Sequence, residues 1–440
     1  MVKSKPGKKA DARQAIKPQK SAKVIAEPED QAINIGLQQT LLNLFRNACV
    51  KGPASEIESN LQEVKGHLYN RDFAKAFGEQ RYLEAYAARW SPSRALGYAQ
   101  VFSDVSSHIS FPKLQDSVSP VSSSFSLASC TKSHVQDRDN NVHTIAEHNA
   151  PVENQLGDCN RNTITAQSDV TDRLGEVEAG SPIGDEARTP VEEARNPLAD
   201  PSPKANVLRI VSIGGGAGAE IMGLAGWMES TRDDESHSTE ATSALSRVEV
   251  CAVDIASWDK VVADLYGAIV EPPILSKYAS EAARAANVEF LPRETFVVEF
   301  VQKNVLEMTS IEMSGLVANT DLVTIMFTLN ELYTSSVAKA QRFLLDLTSS
   351  LRAGALLLVV DSPGSYSAVT INGAERKYPM QWLLDHTLLQ SSEKTEENKW
   401  EKLVSDDSRW FRMPKDLKYP IELENMRYQI HLYRRCEAKG

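Results

Sequence analysis

The sequence predicts an α/β protein in which a helical region precedes a doubly wound sheet that ends in an antiparallel hairpin. After residue 204, near-continuous apolar runs alternate with helical stretches, and a glycine-rich turn directly follows the first run. The runs are VLRIVSI (207–213), VEVCAVD (248–254), FVVEFVQKN (296–304), DLVTIMFTL (321–329) and ALLLVVD (355–361). Strands of this composition belong in a sheet that helices cover on both faces.

The chain divides into four segments by charge and composition. The formal charge, counted as Lys and Arg residues minus Asp and Glu residues, is about +4 for residues 1–30 and about +1 for 31–112. It is about −8 for 113–203 and about −8 for 204–440. We expect 1–30 to be a disordered basic tail, which serves nuclear import, attraction to RNA phosphates, or solubility alone. The acidic segment 113–203 has one aromatic residue and no apolar periodicity, which predicts a disordered insertion.

Composition argues against several classes of protein. No stretch reaches the roughly 20 apolar residues of a membrane span, and no apolar segment follows the first lysines as in a secretory signal. The five cysteines are scattered without a C-x-x-C pair, so we expect free thiols, no disulfide framework and no metal site. These features predict an intracellular protein that does not contact membranes.

The helical region, 31–112, contains apolar residues at spacings of three and four, as in an amphipathic bundle. Its second half, EQRYLEAYAARWSPSRALGYAQVF (79–102), mixes arginines with tyrosines and a tryptophan, which suits RNA contacts. The alternative is that Tyr86 and Trp90 are core residues one turn apart. Pro92 is expected to end one helix, and Ser91 or Ser93 to cap the next, which gives a sharp corner.

The first strand leads into GGGAGAE, residues 214–220, and then into a helix. Gly214, Gly216 and Gly218 form the G-x-G-x-G loop of enzymes that use S-adenosylmethionine, but with Ala219 the same run also fits the dinucleotide form. Asp254 ends the second strand, where its carboxylate can accept from both ribose hydroxyls of either cofactor. The polar stretch 229–247 between them is predicted to be a loop insertion.

Polar or aromatic residues also follow the later strands. Trp258 could stack on an adenine or pack in the core, and Asn304 could bond the adenine edge or favour a turn. Asn330 and Glu331 emerge from the fourth run, and Asp361 ends the fifth. Because the carboxyl ends of parallel strands share one edge of a sheet, these groups are expected to meet where ligands bind.

The last part of the sequence distinguishes between S-adenosylmethionine and a dinucleotide as the cofactor. RWFRMP and ENMRYQIHLYRR (424–435) suggest a terminal antiparallel hairpin, whereas a dinucleotide dehydrogenase would show a second nucleotide-binding half. The pattern therefore favours the Rossmann-like sheet of a class I methyltransferase, here over residues 204–440.

At this point the chain resembles the fungal ribosomal RNA methyltransferases that use S-adenosyl-L-methionine to modify uridine N3 of 25S rRNA. The matching stretches are RYLEAYAARWSPSRALGYAQVF, VLRIVSIGGGAGAE, the Asp254 strand, MFTLNELYT, VVDSPGS and LENMRYQIHLYRR. The resemblance implies cofactor contacts at Gly214, Gly216, Gly218, Asp254 and Asn304, with the Asn330 region completing the pocket. It also implies RNA contacts by Arg89, Trp90 and Arg94.

One departure concerns Ser212, where an acidic residue is usual two positions before the first glycine. Glu220 or Asp361 could substitute for it in holding the methionine amino group. Asn330, Glu331 and Asp361 are the candidate catalytic residues, since uridine N3 carries a proton at neutral pH and a base would help.

The target base must leave its pairing partner before attack, and Tyr333 or Tyr366 could then stack on it. The implied partner is large-subunit rRNA or a preribosome, with the protein a monomer in the nucleus or nucleolus, cytoplasm remaining open. A methyltransferase acting on protein or a small molecule, and a non-catalytic assembly scaffold with this fold, are the alternatives.

Overall fold

The structure is a computed structural model that describes residues 33–109, 206–235, 245–364, 366–371, 374–389 and 399–437. The predicted basic tail, 1–30, and the predicted acidic insertion, 113–203, lie outside the described residues.

The described strands form one large sheet and one small hairpin. The strands are β1 (Val207–Ile213), β2 (Arg247–Asp254), β3 (Phe296–Gln302), β4 (Leu322–Met326), β5 (Leu356–Asp361), β6 (Tyr366–Ile371), β7 (Ala374–Pro379), β8 (Trp400–Phe411) and β9 (Met426–Arg435). The large sheet has the order β3-β2-β1-β4-β5-β9-β8, and β6 pairs only with β7.

The direction of the strands confirms the predicted fold class. β1 to β5 run parallel, whereas β9 is antiparallel to both β5 and β8. The order places β1 and β4 side by side at the point where the connection reverses direction. In open α/β sheets the ligand crevice lies outside the carboxyl ends of the strands at this point.

Helices cover both faces of the sheet and precede it. They are α1 (Ile35–Cys49), α2 (Ala54–Tyr69), α3 (Phe73–Ala76), α4 (Gln80–Val105), α5 (Ala219–Glu235), α6 (Asp259–Val270), α7 (Glu281–Ala285), α8 (Ser310–Val317), α9 (Leu329–Ser335), α10 (Val337–Ser350) and α11 (Met380–Leu389). None of these helices combines the length and apolar character that a membrane span requires.

The predicted corner at WSPSR is wrong, because α4 is one continuous helix that includes Pro92. A proline inside a helix lacks the N–H that would bond the carbonyl four residues earlier, here the carbonyl of Ala88. That carbonyl accepts a hydrogen bond of 2.9 Å from the Tyr419 hydroxyl instead. The neighbouring serines bind other parts of the chain rather than cap a helix: Ser91 donates to the Ala217 carbonyl, and Ser93 accepts from the Glu424 N–H.

The helical region is packed against the sheet, because α1 and α4 share one hydrophobic core with α5, α6 and β1. Close contact depends on glycines in α5. A Cβ at Gly223 would lie 2.9 Å from the Tyr98 Cβ and 3.1 Å from the Ala95 carbonyl oxygen, and one at Gly226 would lie 2.6 Å from Leu41. The backbones of α4 and α5 are therefore nearly in contact. The domain boundary at residue 204 stays a prediction.

Two further boundaries differ from the predictions. The stretch 229–247 is not wholly a loop, since α5 continues to Glu235 and β2 begins at Arg247, with 236–244 outside the described residues. The third strand ends at Gln302, two residues before Asn304.

We predict that Tyr419→Phe lowers the free energy of unfolding by about 1–3 kcal/mol, because it leaves the carbonyl of the buried Ala88 without a donor. In a Pro92→Ala background the new N–H can bond the same carbonyl, so the second substitution should cost clearly less. Denaturant unfolding of the four proteins of this cycle measures both values.

Tyr69→Phe is the control, since Tyr69 is 88% exposed. An equal cost of Tyr419→Phe in both backgrounds would contradict the explanation of how α4 accommodates Pro92.

Candidate active site

The glycine loop connects β1 to α5 in a conformation that favours glycine. Gly214 and Gly218 have φ angles of 78° and 79°, in the left-handed region, and a short 3₁₀ turn lies between them. The Gly214 N–H donates to the Val253 carbonyl at 2.8 Å, which ties the loop to the end of β2. Any residue other than glycine would be strained at both positions.

The glycines of the loop also lie too close to neighbouring side chains to carry a Cβ. A Cβ at Gly216 would lie 2.1 Å from Cδ1 of Trp258, and one at Gly214 would lie 2.2 Å from Oγ1 of Thr328. The loop is therefore held between the segment after β2 and the segment after β4. Its backbone can approach a ligand closely, and the start of α5 follows directly.

Asp254 contacts the loop, and its predicted bond to a cofactor ribose stays a prediction. Its carboxylate accepts from the N–H of Gly216 at 3.2 Å and from that of Ala256 at 3.1 Å. Burial raises the pKa of this carboxyl, and the backbone hydrogen bonds oppose the rise. Trp258 is 2% exposed and packs against Phe77 and Tyr86, so the structure gives it the packing role.

Asn304 lies in the turn after β3. Its Oδ1 accepts from the Leu306 N–H at 3.1 Å, which is the turn role that the sequence left open. The Lys303 N–H donates to the Asp254 carbonyl at 2.7 Å, so this turn stays beside the end of β2. The contact of Asn304 with a cofactor remains a prediction.

A buried acid lies beside the serine at position 212. Glu220, in the first turn of α5, is 3% exposed, and it accepts from the hydroxyls of Ser212 at 2.6 Å and Thr324 at 2.8 Å. Burial raises its pKa to about 7, and the two hydrogen bonds oppose the rise. A Cβ at Gly215 would lie 2.9 Å from Glu220 Oε2. An acidic group therefore lies against the loop, although it comes from α5 and not from β1.

The predicted catalytic residues meet at the carboxyl edge of β4 and β5. Asp361 is 3% exposed and accepts from the N–H groups of Asn330 at 3.0 Å and Ser362 at 2.7 Å. Burial raises its pKa to about 6; the two N–H groups and Arg94 lower the pKa, and Glu331 raises it. The side-chain Oδ1 of Asn330 is buried and has no hydrogen-bond partner in the described structure.

Glu331 differs from Asp361 in its surroundings. It is exposed, desolvation raises the pKa of its carboxyl, and the charge of Arg71 lowers it. Arg71 belongs to the turn between α2 and α3, so the helical region reaches the edge where Glu331 lies.

Phe327 is a residue of this edge that sequence reasoning missed. Its φ angle is 54°, which is uncommon for a bulky residue and marks a strained backbone of the kind found at functional sites. Its N–H donates to the Val360 carbonyl at 2.7 Å, and the guanidinium carbon of Arg94 lies 4.9 Å from its ring centre. Nothing in the sequence encodes this backbone angle.

The three residues predicted to contact RNA line a cavity of about 180 Å³ between α4 and the start of β9. Arg89 is 7% exposed and forms an ion pair with Glu424. The Trp90 ring lies 4.7 Å from that of Tyr86, whose hydroxyl accepts from Arg94 at 2.9 Å. The aromatic pair thus contributes to packing, while the two arginines face a space beside Phe327.

The proposed stacking role of Tyr333 is wrong. Tyr333 is 1% exposed and lies in the hydrophobic core formed by α9, α10 and α11 with the sheet, so no base can reach its ring. The side chain of Tyr366 lies outside the described part of the structure. Within the described residues, no group of three or more His, Cys, Asp or Glu side chains could hold a metal ion.

A family model described as "Putative SAM-dependent methyltransferase" matches residues 45–434, which is most of the chain and includes every element from α4 to β8. The chain belongs to this family. The assignment settles the choice that the glycine loop left open: the cofactor is S-adenosylmethionine, and the protein is a methyltransferase.

Among curated proteins, this methyltransferase is 29% identical over 387 residues to the "25S rRNA (uridine(2843)-N(3))-methyltransferase" of Saccharomyces cerevisiae. The match covers 86% of this chain and 78% of the yeast protein.

Solved structures give weaker likenesses. A methyltransferase from Methanosarcina mazei has 11% identity and a TM-score of 0.28, covering 52% of this chain and 92% of its own. The N-methyltransferase NodS from Bradyrhizobium japonicum, in complex with S-adenosyl-l-homocysteine, has 8% identity and a TM-score of 0.25, covering 52% and 79%.

The residues present fit the cofactor of the methyltransferase family. Asp254, whose carboxylate bonds the Gly216 N–H, offers oxygens to hydroxyl donors beside the glycine loop and the start of α5. The buried Glu220 and Asp361 and the partly buried Asp254 all lie on this side of the sheet. S-adenosylmethionine carries a sulfonium and an ammonium group, so their negative charge suits it.

Proposed function

We propose that this methyltransferase transfers the methyl group of S-adenosylmethionine to N3 of a uridine in large-subunit ribosomal RNA. The observation that carries the proposal is the pair formed by Asp361 and the Asn330 backbone, next to Arg94 at the carboxyl edge of the sheet. The similarity to the yeast uridine-N3 enzyme supports the same substrate, because it extends over 86% of the chain.

Asp361 is proposed as the group that accepts the N3 proton. A general base works best when its pKa is near the working pH, and a pKa of about 6 leaves Asp361 ionised at neutral pH yet more basic than an ordinary aspartate. The N–H groups of Asn330 and Ser362 hold its carboxylate in one orientation. Glu331 is exposed and is proposed to assist by its charge.

The proposed transfer is a displacement in which uridine N3 loses its proton and gains the methyl group. The N3–H bond breaks and Asp361 takes the proton, while the N3 electron pair forms a bond to the methyl carbon. S-adenosylmethionine, when bound, would supply that methyl group on a sulfonium, and the thioether would be the leaving group that keeps the electron pair of the carbon–sulfur bond. The chain contributes mostly by holding the two reactants in line.

Cofactor contacts are proposed for the backbone of Gly214, Gly216 and Gly218, for the Asp254 carboxylate and for the Asn304 turn. Glu220 lies against the loop and is proposed to hold it and to attract the methionine ammonium group. Because N3 is on the pairing edge, the uridine must be unpaired when it enters. Action on rRNA or a preribosome would place the protein in the nucleus or nucleolus.

The proposal predicts a specific product. The purified protein, labelled S-adenosylmethionine and large-subunit RNA from cells that lack the enzyme should yield N3-methyluridine, detected by nucleoside mass spectrometry. Asp254→Ala should abolish the product and weaken cofactor binding by tenfold or more. Asp264→Ala is the matched control, since Asp264 forms an exposed ion pair with Lys51 on the surface of α6.

Other outcomes of this experiment would support a different function. Cofactor binding without any methylated nucleoside in RNA or preribosomes would favour a protein or small-molecule substrate, and absence of cofactor binding would favour the scaffold alternative. A methylated nucleoside other than N3-methyluridine would contradict the proposed target atom.

The base role predicts a pH dependence. Only the ionised form of Asp361 accepts a proton, so kcat/KM should fall about tenfold per pH unit below about pH 6 and level off above it. Asp361→Asn should lower kcat by about 10²–10⁴-fold and remove this inflection. Glu331→Gln should retain it.

The comparison must separate Asp361 from Glu220, whose pKa is about 7. An inflection that persists in Asp361→Asn but disappears in Glu220→Gln would contradict the base role of Asp361.

A further inference from the structure

We propose that the cavity between α4 and the start of β9 is an anion subsite that binds a backbone phosphate of single-stranded RNA. This inference rests on the proposed function and extends it to the way in which the substrate is held. Three arginines line the cavity: Arg89, Arg94 and Arg427. Only one acidic residue, Glu424, lies among the cavity-lining residues of the described structure.

Arg89 lines the cavity and has one guanidinium nitrogen without a hydrogen-bond partner in the described structure. Its side chain is 8% exposed, and one guanidinium nitrogen binds Glu424. The other terminal nitrogen, Nη1, is buried and has no hydrogen-bond partner within the described structure. A buried cationic donor without an acceptor is costly, and a phosphate oxygen in the cavity would supply the missing acceptor.

The cavity also offers aromatic surfaces, which distinguish RNA from other phosphorylated partners. Trp90 and Phe327 line the same space as the arginines. Beside it, Arg427 pairs across the hairpin with Trp410, which is 43% exposed. The guanidinium carbons of Arg412 and Arg427 lie 3.8 Å and 5.6 Å from the Trp410 ring centre.

An exposed tryptophan with arginines around it suits stacking of a nucleobase. The phosphate would bind in the cavity and a neighbouring base on Trp410. Phe327 and Arg94 line the cavity, so an RNA strand bound there would lead toward the carboxyl edge of the sheet, where Asp361 lies. A phosphopeptide would use the arginines but not the aromatic surface.

The test is binding of a fluorescently labelled 12-nucleotide oligoadenylate, measured by anisotropy at several salt concentrations. Because this probe contains no uridine, binding does not depend on methyl transfer. Arg427→Gln should weaken binding about fivefold or more and reduce the salt dependence by roughly one phosphate contact. Glu424→Gln should strengthen binding several-fold, because it removes the carboxylate that competes with phosphate for Arg89.

An exposed ion pair near the opposite edge of the sheet provides matched controls. Arg293, before β3, binds Glu271, after α6, at 2.9 Å. Arg293→Gln and Glu271→Gln change the net charge by the same amounts as the two cavity variants and should leave affinity within about twofold of the wild type. Thermal unfolding of all four variants verifies that they are folded.

Two results would overturn the subsite. In the first, Arg427→Gln and Glu424→Gln bind the oligoadenylate with the same affinity as their charge-matched controls. In the second, the wild-type protein does not bind it. The proposed function fails separately. Absence of N3-methyluridine together with Arg427-dependent binding would remove the uridine assignment and leave the subsite in place.

Discussion

The contact between the backbones of α4 and α5 is the constraint on which the rest of the site depends. Gly223 has no room for a methyl group because Tyr98 and the Ala95 carbonyl lie against it. Since α5 begins directly after the glycine loop, whatever fixes α5 also fixes the loop. Ser91 adds a direct bond from α4 to the carbonyl of Ala217 within that loop. The helical region therefore helps to hold the glycine loop in place.

Charge is distributed to match two different ligands. Acidic side chains lie beside the glycine loop and at the carboxyl edge: Asp254 raises the pKa of Glu220, and Glu331 raises that of Asp361. This side suits a cationic cofactor. Arginines of α4 and β9 line the adjacent cavity, which suits an anionic strand. The acidic charge of residues 204–440 is thus compatible with an RNA substrate, because the substrate side depends on local arginines.

The sequence predicted those parts of the site that follow from strand order. Asp254 and Asp361 end strands and Asn330 follows one, and parallel strands bring such residues to one edge, where the structure has them. Other features depend on contacts between distant residues. Helix α4 passes through Pro92 because Tyr419 bonds the carbonyl that proline leaves free. Tyr333 is buried because α9 turns its ring into the core, and the left-handed backbone of Phe327 has no sequence signal.

The most direct test of this account is the affinity for S-adenosylmethionine of Gly223→Ala, measured by calorimetry. The added methyl group lies outside the glycine loop, but it would push α4 away from α5. The account predicts an increase in Kd of at least about tenfold, or about 1.4 kcal/mol, in a folded protein. Gly315→Ala in α8, where a Cβ meets nothing within 4 Å, is the control and should bind normally. A Gly223→Ala protein that is less stable yet binds the cofactor as tightly as this control would contradict the central role of the α4–α5 contact.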